Sequence, residues 1–204
     1  MQPRRSPINQ IIGATILLGV AAALFIPAYL FWNSSIQRSA SALPKCGMAP
    51  SFQAADQNGN PIGTASLLGR TWVADFVRFE NPGQGEPLSS KFAELDQNFQ
   101  RHDGLALVTF VIDDRSDNQL KSYAQRHEAT SHWRLVRMPD PSTSAFLRQW
   151  ASATADCRAE LPIDRLFVLI DREGAIRGVY DGTAPEVVQK VLLDIGSLLR
   201  DRPK

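Results

Sequence analysis

The sequence predicts an α/β domain behind a single apolar span. Three observations carry this reading. Residues 11–32 form one nearly uninterrupted apolar run. Beyond it, compact β-rich runs alternate with stretches whose apolar residues recur at helical spacing. The chain then closes on two β-rich runs joined by a tight turn, followed by an amphipathic helix.

Residues 11–32 are apolar apart from Thr15 and Tyr29. As a helix this run covers about 33 Å, enough to span a bilayer core of roughly 30 Å. Arg4 and Arg5 precede it, which places residues 1–10 on the cytoplasmic side and the rest of the chain on the exported side, a bacterial periplasm or its equivalent. Tyr29 and Trp32 fall where an aromatic belt is expected. A cleaved signal peptide competes with this reading, because Ala40-Ser41-Ala42 resembles a cleavage site. The apolar run is longer than the usual signal core, which favours a retained single-pass anchor. A lipidated Cys46 is weaker, since Lys45 is a poor residue to precede it. Residues 33–45 read as a polar tether. Residues 46–200 form the domain, and residues 201–204 a short tail.

Within the domain, residues 50–55 read as a short strand ended by the turn Asn58-Gly59-Asn60-Pro61. Residues 72–77 are a compact β-rich run and read as a central strand. Residues 80–87 hold two Pro and two Gly and are expected as loop. Leu88, Phe92, Leu95 and Phe99 then recur at helical spacing. Gly104 breaks the chain before the buried strand 105–112. Residues 113–117 are polar loop, and Leu120, Tyr123, Ala124 and His127 mark a helix. A short strand is expected at 133–136 and a helix at 145–151. Residues 166–170 and 176–180 make a hairpin around Asp171-Arg172-Glu173-Gly174. The last helix runs over about 185–199, with Val187, Val188, Val191, Leu192, Ile195 and Leu199 as its apolar stripe. A closing hairpin and terminal helix after alternating strands and helices are the pattern of a thioredoxin-like domain.

Composition narrows the function. Of 204 residues, 44% are hydrophobic and 21% charged, which suits a folded domain. The formal net charge of +1 gives no basic surface for nucleic acid. Two cysteines, Cys46 and Cys157, are too few for a disulfide scaffold. They leave three readings open: a single structural disulfide, two unpaired thiols, or a metal or redox site. His102, His127 and His132 do not have the three- or four-residue spacing of helical ligand pairs, and surface or capping roles fit them better. No Gly-Lys-Ser or Gly-Lys-Thr of a phosphate loop occurs.

Several segments taken together resemble the Sco/SenC family. They are Gly47-Met48-Ala49-Pro50-Ser51-Phe52, residues 56–61, residues 67–76, and residues 110–117 with Leu120-Lys121-Ser122-Tyr123-Ala124. Phe167-Val168-Leu169-Ile170-Asp171 with Gly174, and Tyr180-Asp181-Gly182, complete the set. The resemblance covers nearly all of the chain from Cys46 to Leu199. It implies a thioredoxin-like fold, copper-chaperone activity, and partners among cytochrome c oxidase subunits or assembly factors. In that family two cysteines three residues apart, after the core strand, and a histidine before the hairpin hold copper or act as a dithiol.

This sequence departs at each of those positions. Counted from Asp75 and Phe76, the cysteine positions fall on Asn81 and Gly85; counted back from Asp171, the histidine position falls on Ile163. Neither Glu80 nor Glu86 nearby supplies a soft ligand. Asp113 and Asp117 keep the family's acidic positions, and Asp114 stands where proline is usual. The expectation is therefore a membrane-anchored, non-catalytic accessory of oxidase copper-centre assembly, with no metal or cofactor of its own. One alternative is an active copper chaperone whose site has moved to Cys46 or Cys157. The last is a thiol-disulfide oxidoreductase or peroxiredoxin-like enzyme, which needs a thiolate where residues 81–87 have none.

Overall fold

The computed structural model describes residues 43–78, 82–99, 102, 104–112, 117–138, 142–157 and 160–200. The expected span 11–32, the tether as far as residue 42 and the tail 201–204 lie outside the described residues. Among the described residues no helix is long and apolar enough to cross a membrane.

In chain order the elements are β1 (Gly47–Met48), β2 (Gln53–Ala55), β3 (Pro61–Gly63), α1 (Thr64–Leu67), β4 (Thr71–Val77) and α2 (Pro82–Phe99). There follow β5 (Leu105–Val111), α3 (Asp117–Arg126), β6 (Trp133–Arg137) and α4 (Ser142–Ala153). A 3₁₀ turn (Ile163–Arg165), β7 (Leu166–Ile170), β8 (Ala175–Asp181) and α5 (Val187–Arg200) complete the chain. Six strands form one sheet in the order β1-β8-β7-β4-β5-β6. β4 pairs in parallel with β5, and β5 with β6, whereas β7 and β8 pair antiparallel with their neighbours. This mixed α/β sheet is thioredoxin-like, as the element order predicts.

Burial on both faces explains why β4, β5 and β7 read as continuous apolar runs: every residue of each is buried. Alternation along β4 sends Val73 to one face and Trp72, Ala74 and Phe76 to the other. The first face is covered by Phe92, Leu95 and Phe99 of α2, Leu120 and Tyr123 of α3, and Val188, Val191 and Ile195 of α5. The second is covered by Phe146 and Trp150 of α4 and by Phe52. There Phe76 stacks on Phe110 at 5.4 Å, and Trp150 meets Phe76 edge-on at 5.3 Å.

The edge strand β6 is closed by the chain ahead of β3. Asp56 bridges to Val136, and the buried amide of Gln57 replaces a missing neighbouring strand. Its Nε2 donates to the Trp133 carbonyl at 3.1 Å and its Oε1 accepts from the Leu135 N–H at 2.8 Å. An edge that could otherwise recruit another chain is satisfied internally.

One expectation fails in part. The reading of residues 80–87 as loop is overturned from Pro82 onward, where α2 begins. Proline suits a helix's first position, because its missing N–H needs no partner there. Gly83, Gly85 and Pro87 weaken the next turn, each glycine by about 1 kcal/mol. Burial of the stripe Leu88, Phe92, Leu95 and Phe99 outweighs that local preference.

Candidate functional site

The carboxyl ends of β4 and β5 define one end of the sheet, where open α/β folds place their ligands. Because β7 runs the opposite way, the turn Ile163–Arg165 ahead of it arrives at this same end. Arg78, just past β4, faces Asp164 of that turn at 3.8 Å. Gly85 lies in the opening of α2, and Ile163 is half-buried against the aromatic core of the second face. Asn81 and Glu80 lie outside the described residues, as does the side chain of Glu86. Asp113 and Asp114 lie outside them too.

A glycine and an isoleucine offer copper no side-chain donor. The ion pair of Arg78 and Asp164 adds hard, charged groups where soft ligands are required. The residues described at this end therefore do not fit a copper ion. Among the described residues no cluster of three or more His, Cys, Asp or Glu could hold a metal.

The two cysteines meet elsewhere. Cys46 and Cys157 form a disulfide with their Cα atoms 5.5 Å apart. Cys46 donates its N–H to the Ile176 carbonyl, which places it beside the β7–β8 turn. That is the far end of β7, about 13 Å of strand away from the Ile163 turn. Gly47 makes the approach possible. Its φ is +157°, and a Cβ there would lie 2.5 Å from the Ala153 carbonyl oxygen of α4.

One buried group went unremarked in the sequence reading, where it served only as a counting mark. Asp75 is 2% exposed in the middle of the sheet, and neither carboxyl oxygen makes a hydrogen bond among the described residues. Burial pushes its pKa up to about 7. The signal was legible: Asp75 is the one ionisable residue in the run Trp72-Val73-Ala74-Asp75-Phe76-Val77.

The histidines serve structure. His127 packs on Tyr123 at 4.4 Å and on Trp133 at 6.1 Å, and the His132 Nδ1 lies 3.3 Å from the Leu105 carbonyl oxygen. His102 is exposed, and its backbone N–H caps the end of α2 through the Phe99 carbonyl. Asp117 opens α3 and pairs with Arg137 at 3.4 Å.

The sheet order and the helices on its two faces define a protein of the thioredoxin-like class. No family model matches the chain, and no curated protein matches it by sequence. Solved structures do. The chain is similar to a SCO1/SenC family lipoprotein from Bacillus anthracis, at 26% identity and a TM-score of 0.61, covering 78% of this chain and 99% of that one. It is similar in fold to BsSco, a member of the Sco family of cytochrome c oxidase assembly proteins, at 18% identity and a TM-score of 0.61 over 76% of this chain and 95% of that one. The copper-bound ScoI of Bradyrhizobium japonicum shares the fold at 15% identity and a TM-score of 0.57, over 74% of this chain and 99% of that one. The Sco/SenC resemblance read from the sequence is thus supported by structure.

Proposed function

We propose that this chain is a membrane-anchored Sco/SenC-like accessory in the assembly of the copper centres of cytochrome c oxidase, acting through protein contacts without carrying copper or turning over thiols. The observation that carries this reading is an intact scaffold around a site without donors. Gly85 and Ile163 occupy two ligand positions of the family. The chain's two sulfurs are joined to each other at the opposite end of β7. A disulfide sulfur is a far poorer copper ligand than a thiolate, and it leaves no nucleophile for dithiol exchange. The apolar run 11–32 supplies the anchor and the arginines before it the orientation, which puts the domain on the exported side.

The test is metal retention by the full-length chain in a non-ionic detergent. The protein is loaded with Cu(I) under reducing conditions, and separately with Cu(II), then desalted against a competing chelator. A copper-to-protein ratio near zero in both is the expected result. A ratio near one that collapses in C46S or C157S overturns it in favour of a copper chaperone with a relocated site.

A further inference from the structure

We propose that the face of the domain around Met48, Leu68 and the Gly174 turn rests on the lipid bilayer, as a second contact beside the anchor. The inference rests on the anchored reading above. Three large apolar side chains are exposed among the described residues: Met48 at 60%, Leu68 at 57% and Leu193 at 64%. Two of the three meet. Met48 ends β1 and Leu68 follows α1, yet both side chains reach the β7–β8 turn. A Cβ on Gly174 would stand 3.5 Å from the Met48 Cε and 3.9 Å from the Leu68 Cδ2. Gly174 has a φ of +85°, which favours a residue without a side chain, so the turn places none at that point. Backbone bonds hold both segments there. The Ala49 N–H donates to the Gly174 carbonyl and the Gly69 N–H to the Arg172 carbonyl, each at 2.9 Å.

What covers the pair follows from where the tether ends. The Arg177 guanidinium donates to the Leu43 carbonyl at 2.9 Å and to the Pro44 carbonyl at 3.2 Å, and Cys46 is held by the disulfide. The entry of the chain into the domain is thus pinned. Met48 stands five residues on from Leu43, at most about 18 Å of extended chain. The ten residues 33–42, between the apolar run and the domain, reach at most about 36 Å. A bilayer that holds residues 11–32 therefore stays within reach of this face.

Two side chains are too few to recruit a free protein to a membrane, since even a single myristoyl chain binds only marginally. A tether changes this. It makes the second contact intramolecular, at a high effective concentration of surface, so a weak contact suffices. Charge adds little. Lys45 and Arg70 are exposed on the two segments that carry the pair, while Glu173 of the turn and Asp156 beside the disulfide are exposed carboxylates. These exposed charges offset one another. The contact is apolar in origin and needs no anionic lipid.

The test uses the full-length chain reconstituted into liposomes of phosphatidylcholine. L68C, with the native disulfide left oxidised, carries a nitrobenzoxadiazole label on its one free thiol. L193C carries the same label midway along α5, as a matched exposed apolar site. Lipids bearing a nitroxide near the glycerol quench a label that touches the bilayer. Quenching is expected to be several-fold stronger at position 68 than at 193. M48E in the L68C background is expected to remove most of that excess, and to leave the melting temperature unchanged because Met48 is exposed. Equal quenching at the two positions overturns the proposal. So does excess quenching at 68 that M48E leaves intact, since the contact then does not run through the pair. Alkaline carbonate extraction separates this from the anchor. Chain that stays with the liposomes but shows no excess quenching at 68 defeats the bilayer contact alone. Chain that is extracted defeats the anchor, and the contact with it.

Discussion

Asp75 and Thr109 stand opposite each other in the parallel register of β4 and β5, and only one of them is satisfied. The Thr109 Oγ1 accepts the Trp133 indole N–H at 2.8 Å, whereas both Asp75 oxygens are buried without a hydrogen bond among the described residues. The carboxyl is therefore stable in this sheet chiefly as the neutral acid, which sets the first prediction.

Asp75 has a folded-state pKa of about 7 against an ordinary value of 3.8. Below about pH 4 both the folded and unfolded states hold the proton. Between about pH 4 and 7 only the folded state does, so stability falls as pH rises through that window and levels off above it. A shift of this size is worth at most roughly 4 kcal/mol. D75N, which mimics the neutral acid, is expected to flatten the decline and to be the more stable protein at pH 8. Urea unfolding of both proteins from pH 4.5 to 8 checks this. Parallel stability curves for D75N and the parent would show that the carboxyl stays ionised.

The disulfide ties the start of the domain to the segment after α4, across 111 residues of sequence. Closing a loop of that length restricts the unfolded chain by about 3–5 kcal/mol. The double variant C46S/C157S, or reduction with a strong dithiol, is expected to lower unfolding stability by that order while leaving the sheet's circular dichroism unchanged at low temperature. A loss below about 1 kcal/mol would mean that the bridge closes no loop the unfolded chain would otherwise leave open.

Gln57 is a third point of leverage, because its side chain stands in for a strand. Q57A leaves the Trp133 carbonyl and the Leu135 N–H of β6 without the partners they have now. The expected cost is about 2–3 kcal/mol, together with faster exchange of the Leu135 amide and a greater tendency to self-associate through the bared edge. Amide exchange and light scattering read the two effects separately. Q57E keeps the acceptor for Leu135 but loses the donor to Trp133, so it is expected to fall between the two.

How far the sequence reaches depends on whether a feature is local. The strands β4, β5 and β7 were legible because burial on both faces writes a continuous apolar run into the chain. The helices α2, α3 and α5 were legible from the spacing of residues such as Leu88, Phe92, Leu95 and Phe99. β1 has two residues and α1 has four, too few for any period to show. The start of α2 was misread because Pro82, Gly83 and Gly85 were weighed by local preference, while the decision was made by burial further along the helix. The departures at Gly85 and Ile163 could be counted in the sequence. The meeting of Cys46 with Cys157 could only be left open there, because it depends on which segments the sheet brings together at its far end.

If the scaffold is intact and only the donors are missing, restoring them should restore the metal. The triple variant N81C/G85C/I163H places two thiols and an imidazole at the positions that the Sco/SenC resemblance assigns to copper ligands. It is expected to retain about one Cu(I) per chain against a chelator that strips the parent, and to show a thiolate-to-copper charge-transfer band with Cu(II). The Cys46–Cys157 bridge, at the opposite end of β7, should not interfere. Two further variants locate the cause of any failure. I163H alone should bind no better than the parent, since one imidazole is a weak site. N81C/G85C without the histidine should bind Cu(I) through two thiolates yet lose the Cu(II) band. If the triple variant folds, as judged by its thermal transition, and still retains no copper, then the obstacle to copper binding lies in the geometry of the α2 opening and the 163–165 turn. Arg78 and Asp164, paired across that gap, would then be the first residues to change.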